Sequence, residues 1–445
     1  MQNTPYHWPK RWLMLGVTAL AIAGLFSLVL VIARTPQLAA FKDLFSVALV
    51  VHVDLSVLVW FLAVMCVGMA MFIQTYQREP LPVIAPASWW CMAIGTFCMT
   101  ISPLTGEWEV IKSNYIPVLF NGFFFLGLAL IAAAILLVSV HLIIVALGRE
   151  FASHTKHGNT AVDMGWVTIA IILLVALCMF YLSGEAMPAG QTHQHFFELL
   201  FWAGGHTLQF AYTMVMMLAW LALAKKVIAR PVAPAWVLMV LWLLSLGAAM
   251  VPLYAFTQYT IDDQAFINHF TDIMIEWGGV APSILFVALL WGLVRHWGAT
   301  REYRACASAL ITSMALFAAG GLLGLMIQGQ NVTIPAHYHG AIVGVTLALM
   351  GYAYALLPRF GCRAVTSWRS AFWQPILYGV GQVMHIGGLA YSGGYGVLRK
   401  TAAAGQTYAP EVKIALGVMG LGGLLAIIGG LMFVVVVWRS TRAQG

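Results

Sequence analysis

The chain has 445 residues, of which 62% are hydrophobic and only 8% charged, and its mean hydropathy is +0.89. That balance excludes a water-soluble globule and places the chain in a lipid bilayer. The net charge of +7 calls for no nucleic-acid partner, because the basic residues follow the asymmetry of a membrane topology.

Crossing roughly 30 Å of hydrocarbon takes about 20 residues of helix at about 1.5 Å per residue. Apolar runs of that length predict about twelve transmembrane helices, at 12–33, 44–74, 83–102, 115–147, 163–182, 195–224, 233–257, 266–294, 305–328, 333–357, 371–396 and 414–438. The first run exceeds the apolar core of a secretory leader and no small-residue cleavage site comes after it, so it is expected to be retained. The polar connections near 103–114, 183–194 and 397–413 are too short to fold alone, which predicts one membrane domain over 1–445. The expected fold class is all-α, a polytopic membrane protein.

Of the 22 basic residues, 16 fall on the side that holds both termini and 6 on the other: Arg34, Lys42, Lys112, Arg399, Lys400 and Lys413. The positive-inside rule therefore predicts cytoplasmic termini and a multi-pass protein of a bacterial inner membrane. Six scattered cysteines lack any C-x-x-C pair, so they carry no zinc, disulfide or c-type haem signature and read as packing residues.

Histidine within a bilayer is costly without a partner. Five fall inside the predicted spans at similar depth: His52, His206, His269, His337 and His339. Their four spans all begin at the outer face, which puts all five in the outer half of the membrane. His337 and His339 are two residues apart, so at about 100° per residue their rings point roughly 200° apart around one helix. One helix can thus serve two cofactors, and this His-x-His with two further histidines at matching depth points to haem ligation. His141, His296 and His385, each alone, read as satisfied core residues.

The segments VHVDLSVLVWFL around His52, FWAGGHTLQF around His206 and AHYHGAIVGVTLALMGYAYALLPRFG around His337 and His339 resemble helices 2, 6 and 10 of subunit I of the haem-copper oxidase superfamily. The resemblance covers nearly the whole chain and implies that family's helical bundle. It implies that His52 and His339 ligate a low-spin haem and that His337 binds a high-spin haem. Arg399-Lys400 resembles the basic pair that meets haem propionates, although two interfacial cations would read the same way.

The chain departs from the family where copper is held, since it contains no His-His pair; the matching position is about Thr257-Gln258. A second set lies close by in sequence. His269, Asp272 and Glu276 occupy i, i+3 and i+7 of one helix stripe and, with His206, would suit copper or non-haem iron as a second metal. The same carboxylates would equally serve a water-lined or proton-conducting face. The tyrosine that oxygen-reducing members carry four residues after the sixth-helix histidine is Phe210 here, with Tyr259 as a substitute beside Gln258.

Dioxygen cleavage needs four electrons at one centre, whereas coupling two NO molecules needs two. The resemblance with its departures therefore implies a respiratory gas reductase acting on NO, with O2 reduction, or a haem electron carrier or gas sensor without a second metal, as alternatives. The catalytic set would comprise His206, His269, Asp272, Glu276 and Tyr259. Electrons would come from a partner subunit with a copper-A or cytochrome c domain, or from a soluble cytochrome c or cupredoxin.

Overall fold

The computed structural model describes residues 6–34, 44–76, 83–106, 108–148, 151, 160–228, 230–298, 300–328, 331–397 and 409–442. Among these, the long helices in chain order are α1 (His7–Arg34), α2 (Leu44–Tyr76), α3 (Ile84–Ile101), α4 (Gly122–Ala146), α5 (Thr160–Glu185), α6 (His193–Val227), α7 (Ala235–Gln258) and α8 (Gln264–Arg295). They continue with α9 (Arg304–Gly324), α10 (Thr333–Leu356), α11 (Arg369–Gly394) and α12 (Pro410–Arg442). Eleven of the described helices are long and apolar enough to cross a membrane. The exception is α11, whose 26 residues span the same thickness but are diluted by glycine, glutamine and histidine. The protein is a multi-pass membrane protein of the all-α class.

The fourth helix begins later than its apolar run suggests. Residues 110–119 form a small antiparallel hairpin, β1 (Val110–Ile111) against β2 (Val118–Leu119), with Val110 opposite Leu119. The Asn121 side chain then accepts the Phe124 N–H at 2.9 Å and starts α4 as its N-cap.

The backbone groups into two compact units. The first gathers Met1–Ala23, Leu49–Leu218 and Ala233–Ala288. At its centre, α2 is buried on every side from Trp60 to Ala70, as expected of a helix that is apolar all round. A six-residue π-helical turn, Asp54–Val59, interrupts α2 directly after His52 and Val53. Such turns shift the phase of the side chains beyond them and recur at functional sites. Around α2, the Trp242 indole donates to the Ala161 carbonyl at 2.7 Å, and the Tyr76 hydroxyl meets Asp163 at 2.5 Å.

The second unit comprises Gly24–Ala48, Ala219–Val232 and Leu289–Gly445. Here α10 is the buried helix. Its contact with α9 depends on Gly320 and Gly340, because a Cβ at Gly320 would lie 2.3 Å from the Ala341 nitrogen and one at Gly340 would lie 2.6 Å from the Gly320 Cα. The two backbones touch, as small-residue packing allows in membranes. A hydrogen-bond chain runs from the Trp220 indole to Ser313 Oγ (2.7 Å) and from there to the Gly344 carbonyl (2.6 Å), tying α6, α9 and α10 together. Leu316, Ala336, Val343, Leu347, Ile386 and Leu389 supply the apolar core between α9, α10 and α11.

The neighbouring glycines of α9 provide a controlled test. Gly320→Ala should cost roughly 1–3 kcal/mol through overpacking, whereas Gly321→Ala, where nothing lies within 4 Å, should leave stability unchanged or slightly raised. Apparent Tm values of the two variants in detergent check this, and equal Tm values would contradict the backbone contact.

Candidate metal centre

Three of the candidate histidines are each held by their helix and by a specific acceptor. His52 lies on α2 with its Nδ1 2.9 Å from the Ala23 carbonyl of α1. His206 lies on α6, 5% exposed, with its Nδ1 2.8 Å from the Trp202 carbonyl one turn earlier. His337 lies on α10 with its Nδ1 2.8 Å from the Gly320 carbonyl of α9. A carbonyl oxygen only accepts, so in all three rings Nδ1 carries the proton and Nε2 carries the lone pair. A hydrogen bond of this kind orients a metal-ligating imidazole and fixes its tautomer.

Glycine makes room for the His337 ring, since a Cβ on Gly324 would come within 2.7 Å of its Nδ1. Two residues along α10, the His339 ring stands edge-on to His385 of α11, with centroids 5.0 Å apart. His385 in turn has Nδ1 3.0 Å from the Met419 carbonyl of α12. His385 therefore belongs to the surroundings of His339, whereas its isolated place in the sequence suggests only a packing role. These residues fit haem ligation: locked rings, with Nε2 free as the donor atom in His52 and His337.

The other nitrogen of His206 is engaged. The Tyr115 hydroxyl lies 2.9 Å from His206 Nε2 and, with Nδ1 already the donor, the phenol donates to it. Tyr115 sits in the β1–β2 hairpin, where Ser113 Oγ donates to the Ile116 carbonyl. Asn114 donates to the Glu198 carboxylate of α6 from its side chain and, at 3.2 Å, from its backbone N–H. The tyrosine ring lies over Gly205, where a Cβ would come within 2.2 Å of its Cγ. Burial, reinforced by the Glu198 charge, pushes the Tyr115 phenol well above the usual tyrosine range, so it stays protonated and able to donate. A lone loop tyrosine far away in sequence gives no signal of this contact; Gly205 before His206 is its trace, whereas Gly204 makes room for Phe180.

The residues expected to complete a second metal site with His206 are placed otherwise. The ring of α8 that meets His206 is Phe270, 5.8 Å between centroids. His269 points in the adjacent direction around the helix, about 100° away, and packs near Tyr259 with centroids 6.4 Å apart. Its Nε2 is buried without a hydrogen bond. Asp272 and Glu276 are exposed on the outer face of α8. Thr257, Gln258 and Tyr259 are exposed as well, and the tyrosine at His206 is Tyr115. Among the described residues, no group of three or more His, Cys, Asp or Glu side chains could hold a metal ion. The side chains do not fit a second metal at His206. Arg399 and Lys400 lie outside the described residues.

Asp54, at the start of the π-helical turn, is 1% exposed and neither carboxylate oxygen has a hydrogen-bond partner. Glu109 by contrast is solvated and pairs with His193 at 2.7 Å.

Apolar helices that present oriented imidazoles inside the membrane are what an integral-membrane haem protein requires. The family model described as cytochrome c and quinol oxidase polypeptide I matches residues 9–432, and the chain belongs to that family. It is 30% identical to an uncharacterized protein of Rickettsia prowazekii (strain Madrid E), covering 97% of this chain and 95% of the relative. It is 27% identical to an uncharacterized protein of Aquifex aeolicus (strain VF5), covering 79% of this chain and 84% of the relative. Its fold is similar to that of a haem-copper terminal oxidase dimer solved by cryo-EM, with a TM-score of 0.73 at 15% identity over 100% of this chain and 85% of that one. Membership makes the chain a haem-binding respiratory oxidoreductase.

Tyr115→Phe should free His206 Nε2 and move its 15N chemical shift, in histidine-labelled protein, away from the hydrogen-bonded value. The lost bond should cost about 1 kcal/mol. Gly205→Ala should move the same resonance by displacing the ring. An unchanged His206 shift in both variants would refute the contact.

Proposed function

We propose that the chain is the haem-bearing catalytic subunit of a respiratory reductase that converts NO to N2O. The overall reaction joins two NO with two electrons and two protons to give N2O and water. His52 and His339 would hold a low-spin haem, and His337 would hold a high-spin haem. When bound, the haems supply one-electron redox chemistry and an iron site for the gas.

The observation that carries the haem assignment is the Nδ1 hydrogen bond to a backbone carbonyl at His52 and at His337, which leaves Nε2 as the donor atom. The choice of NO rests on the surroundings of His206. By the family resemblance, the position of the copper-binding His-His pair falls at about Thr257-Gln258, and Phe210 replaces the tyrosine of oxygen reducers. Two-electron coupling needs less of the second centre than four-electron cleavage does. His206 and Tyr115 then act as a proton-bearing pair, with the Trp202 carbonyl keeping the proton on Nδ1 and the phenol holding one at Nε2. Glu198, tied to Asn114 beside Tyr115, is a carboxylate through which a proton can reach that phenol.

O2 reduction is the second reading, supported by Tyr115 itself, because a tyrosine in hydrogen-bond contact with His206 is available from the hairpin instead of from α6. In either reading electrons arrive from a subunit with a copper-A or cytochrome c domain, or from a soluble cytochrome c or cupredoxin.

Purified protein should contain two haems per chain and no stoichiometric copper or non-haem iron by elemental analysis. It should form N2O from NO under anaerobic conditions with a reduced donor. His52→Ala and His339→Ala should each abolish the low-spin bis-histidine absorption and N2O formation while leaving high-spin haem in place. O2 uptake without N2O formation would select the second reading. Haem-replete protein that turns over neither gas would refute both and leave an electron carrier or gas sensor.

A further inference from the structure

The second unit carries an unusual charge distribution at one end of its helices. Arg295 ends α8, Arg301 lies in the short turn just before α9 and Arg304 starts that helix, Arg359 and Arg363 come after α10, Arg369 starts α11, and Arg439 and Arg442 end α12. From residue 289 to the C-terminus the only acidic residues are Glu302 and Glu411. Glu411 opens α12, whose other end closes on this cluster through the Arg363 N–H bonded to the Ser440 carbonyl at 3.1 Å. The acid is about 40 Å of helix away. Glu302 alone is set against eight arginines.

Several of these arginines are accounted for by stacking on indoles. Arg295 lies 4.7 Å from the Trp291 ring centroid, Arg363 lies 5.4 Å from Trp368, and Arg442 lies 3.5 Å from Trp438. Arg301, Arg304 and Arg369 are different. They are exposed and, among the described residues, they make no ion pair, ring contact or side-chain hydrogen bond. All three line one cavity of about 340 Å³, together with Ser367.

The backbone around the cavity has the same polarity. The starts of α9 and α11 both contribute to its lining, and neither the α9 N-cap, Tyr303, nor the α11 N-cap, Trp368, makes a side-chain capping bond. Helix N-termini carry unpaired N–H groups and partial positive charge. Thr366, just before α11, accepts the Ala305 N–H at 3.2 Å and ties the two helix starts together. Three guanidinium groups and two uncapped helix starts around one void repel one another unless an anion sits among them. Guanidinium forks match phosphate oxygens in bidentate geometry.

The remaining wall is aromatic: Trp368, Phe372 and Trp373, the last 53% exposed. Tryptophan with an exposed apolar face at the end of a membrane helix marks the headgroup level of the bilayer. We propose that this cavity between the starts of α9 and α11 binds a phosphate group, held by Arg301, Arg304 and Arg369, as the headgroup of an anionic phospholipid whose acyl chains run down the Phe372 and Trp373 side. This site is independent of the gas and of the haem assignment.

The test uses the purified full-length protein, the variant Arg301→Gln/Arg369→Gln, and the control Arg439→Gln, on the same face but outside the cavity. Retention of phosphatidylglycerol and of phosphatidylcholine is measured by native mass spectrometry, and competition by inorganic phosphate is measured alongside. Wild type and the control should retain phosphatidylglycerol in preference to phosphatidylcholine, and the double variant should bind it about tenfold or more weakly with an unchanged haem spectrum. Should the double variant fail to fold, Arg304→Gln gives the same readout with one charge removed. Lipid retention that resists inorganic phosphate assigns the phosphate to the lipid. Displacement by millimolar phosphate keeps the phosphate site but assigns it to a soluble anion. Equal retention of the two lipids, or undiminished phosphatidylglycerol binding in the cavity variants, overturns the proposal.

Discussion

An imidazole surrounded by apolar helices has two nitrogens to satisfy and no water to satisfy them. In His52, His206 and His337 a backbone carbonyl takes the Nδ1–H. Each of those carbonyls has to be brought to the ring by helix packing or by the helix's own turn: Ala23 on α1, Trp202 one turn before His206, and Gly320 on α9. The acceptors explain features that otherwise look unrelated. The contact between α9 and α10 is close because Gly320 and Gly340 have no side chains, and the same closeness delivers the Gly320 carbonyl to His337. Packing and ligand orientation are thus one event in the second unit.

In His206 the remaining nitrogen also finds a protein partner, and the character of the ring changes. Tyr115 reaches it only because Gly205 leaves space for the phenol ring and because Asn114 and Glu198 hold the hairpin against α6. With Nδ1 and Nε2 both engaged, the ring is a hydrogen-bonded element rather than an open metal ligand. Phe270, the α8 ring that meets it, offers no donor atom. The departure from the family's copper site therefore extends beyond the missing His-His pair to the side chains that fill the space around His206.

The two buried helices obey the same constraint on a larger scale. α2 from Trp60 to Ala70 and α10 from Val343 to Tyr354 are buried on all sides, and the same two helices carry His52, His337 and His339 nearer their starts. The packed stretches hold each helix in place and so fix the position from which its histidines project. Asp54, the first residue of the π-helical turn, is buried there without a hydrogen bond, which carries a desolvation penalty for its charged form.

Membrane residence, the number and order of the helices, and the likeness of the His52, His206 and His-x-His segments to a haem-binding family were legible in the amino-acid sequence, because hydropathy and ligand spacing are local properties of the chain. The phase of α8 was not legible. A stripe at i, i+3 and i+7 shows which residues share a face but not which way that face turns, and packing turned Phe270 toward His206 and left Asp272 and Glu276 exposed. Nor could a linear reading join Tyr115 to His206 across 91 positions, place His385 against His339, or gather Arg301, Arg304 and Arg369 around one cavity. Those pairings depend on how helices rotate and approach one another, which is settled by the sum of many contacts along the bundle and not by any short segment of it.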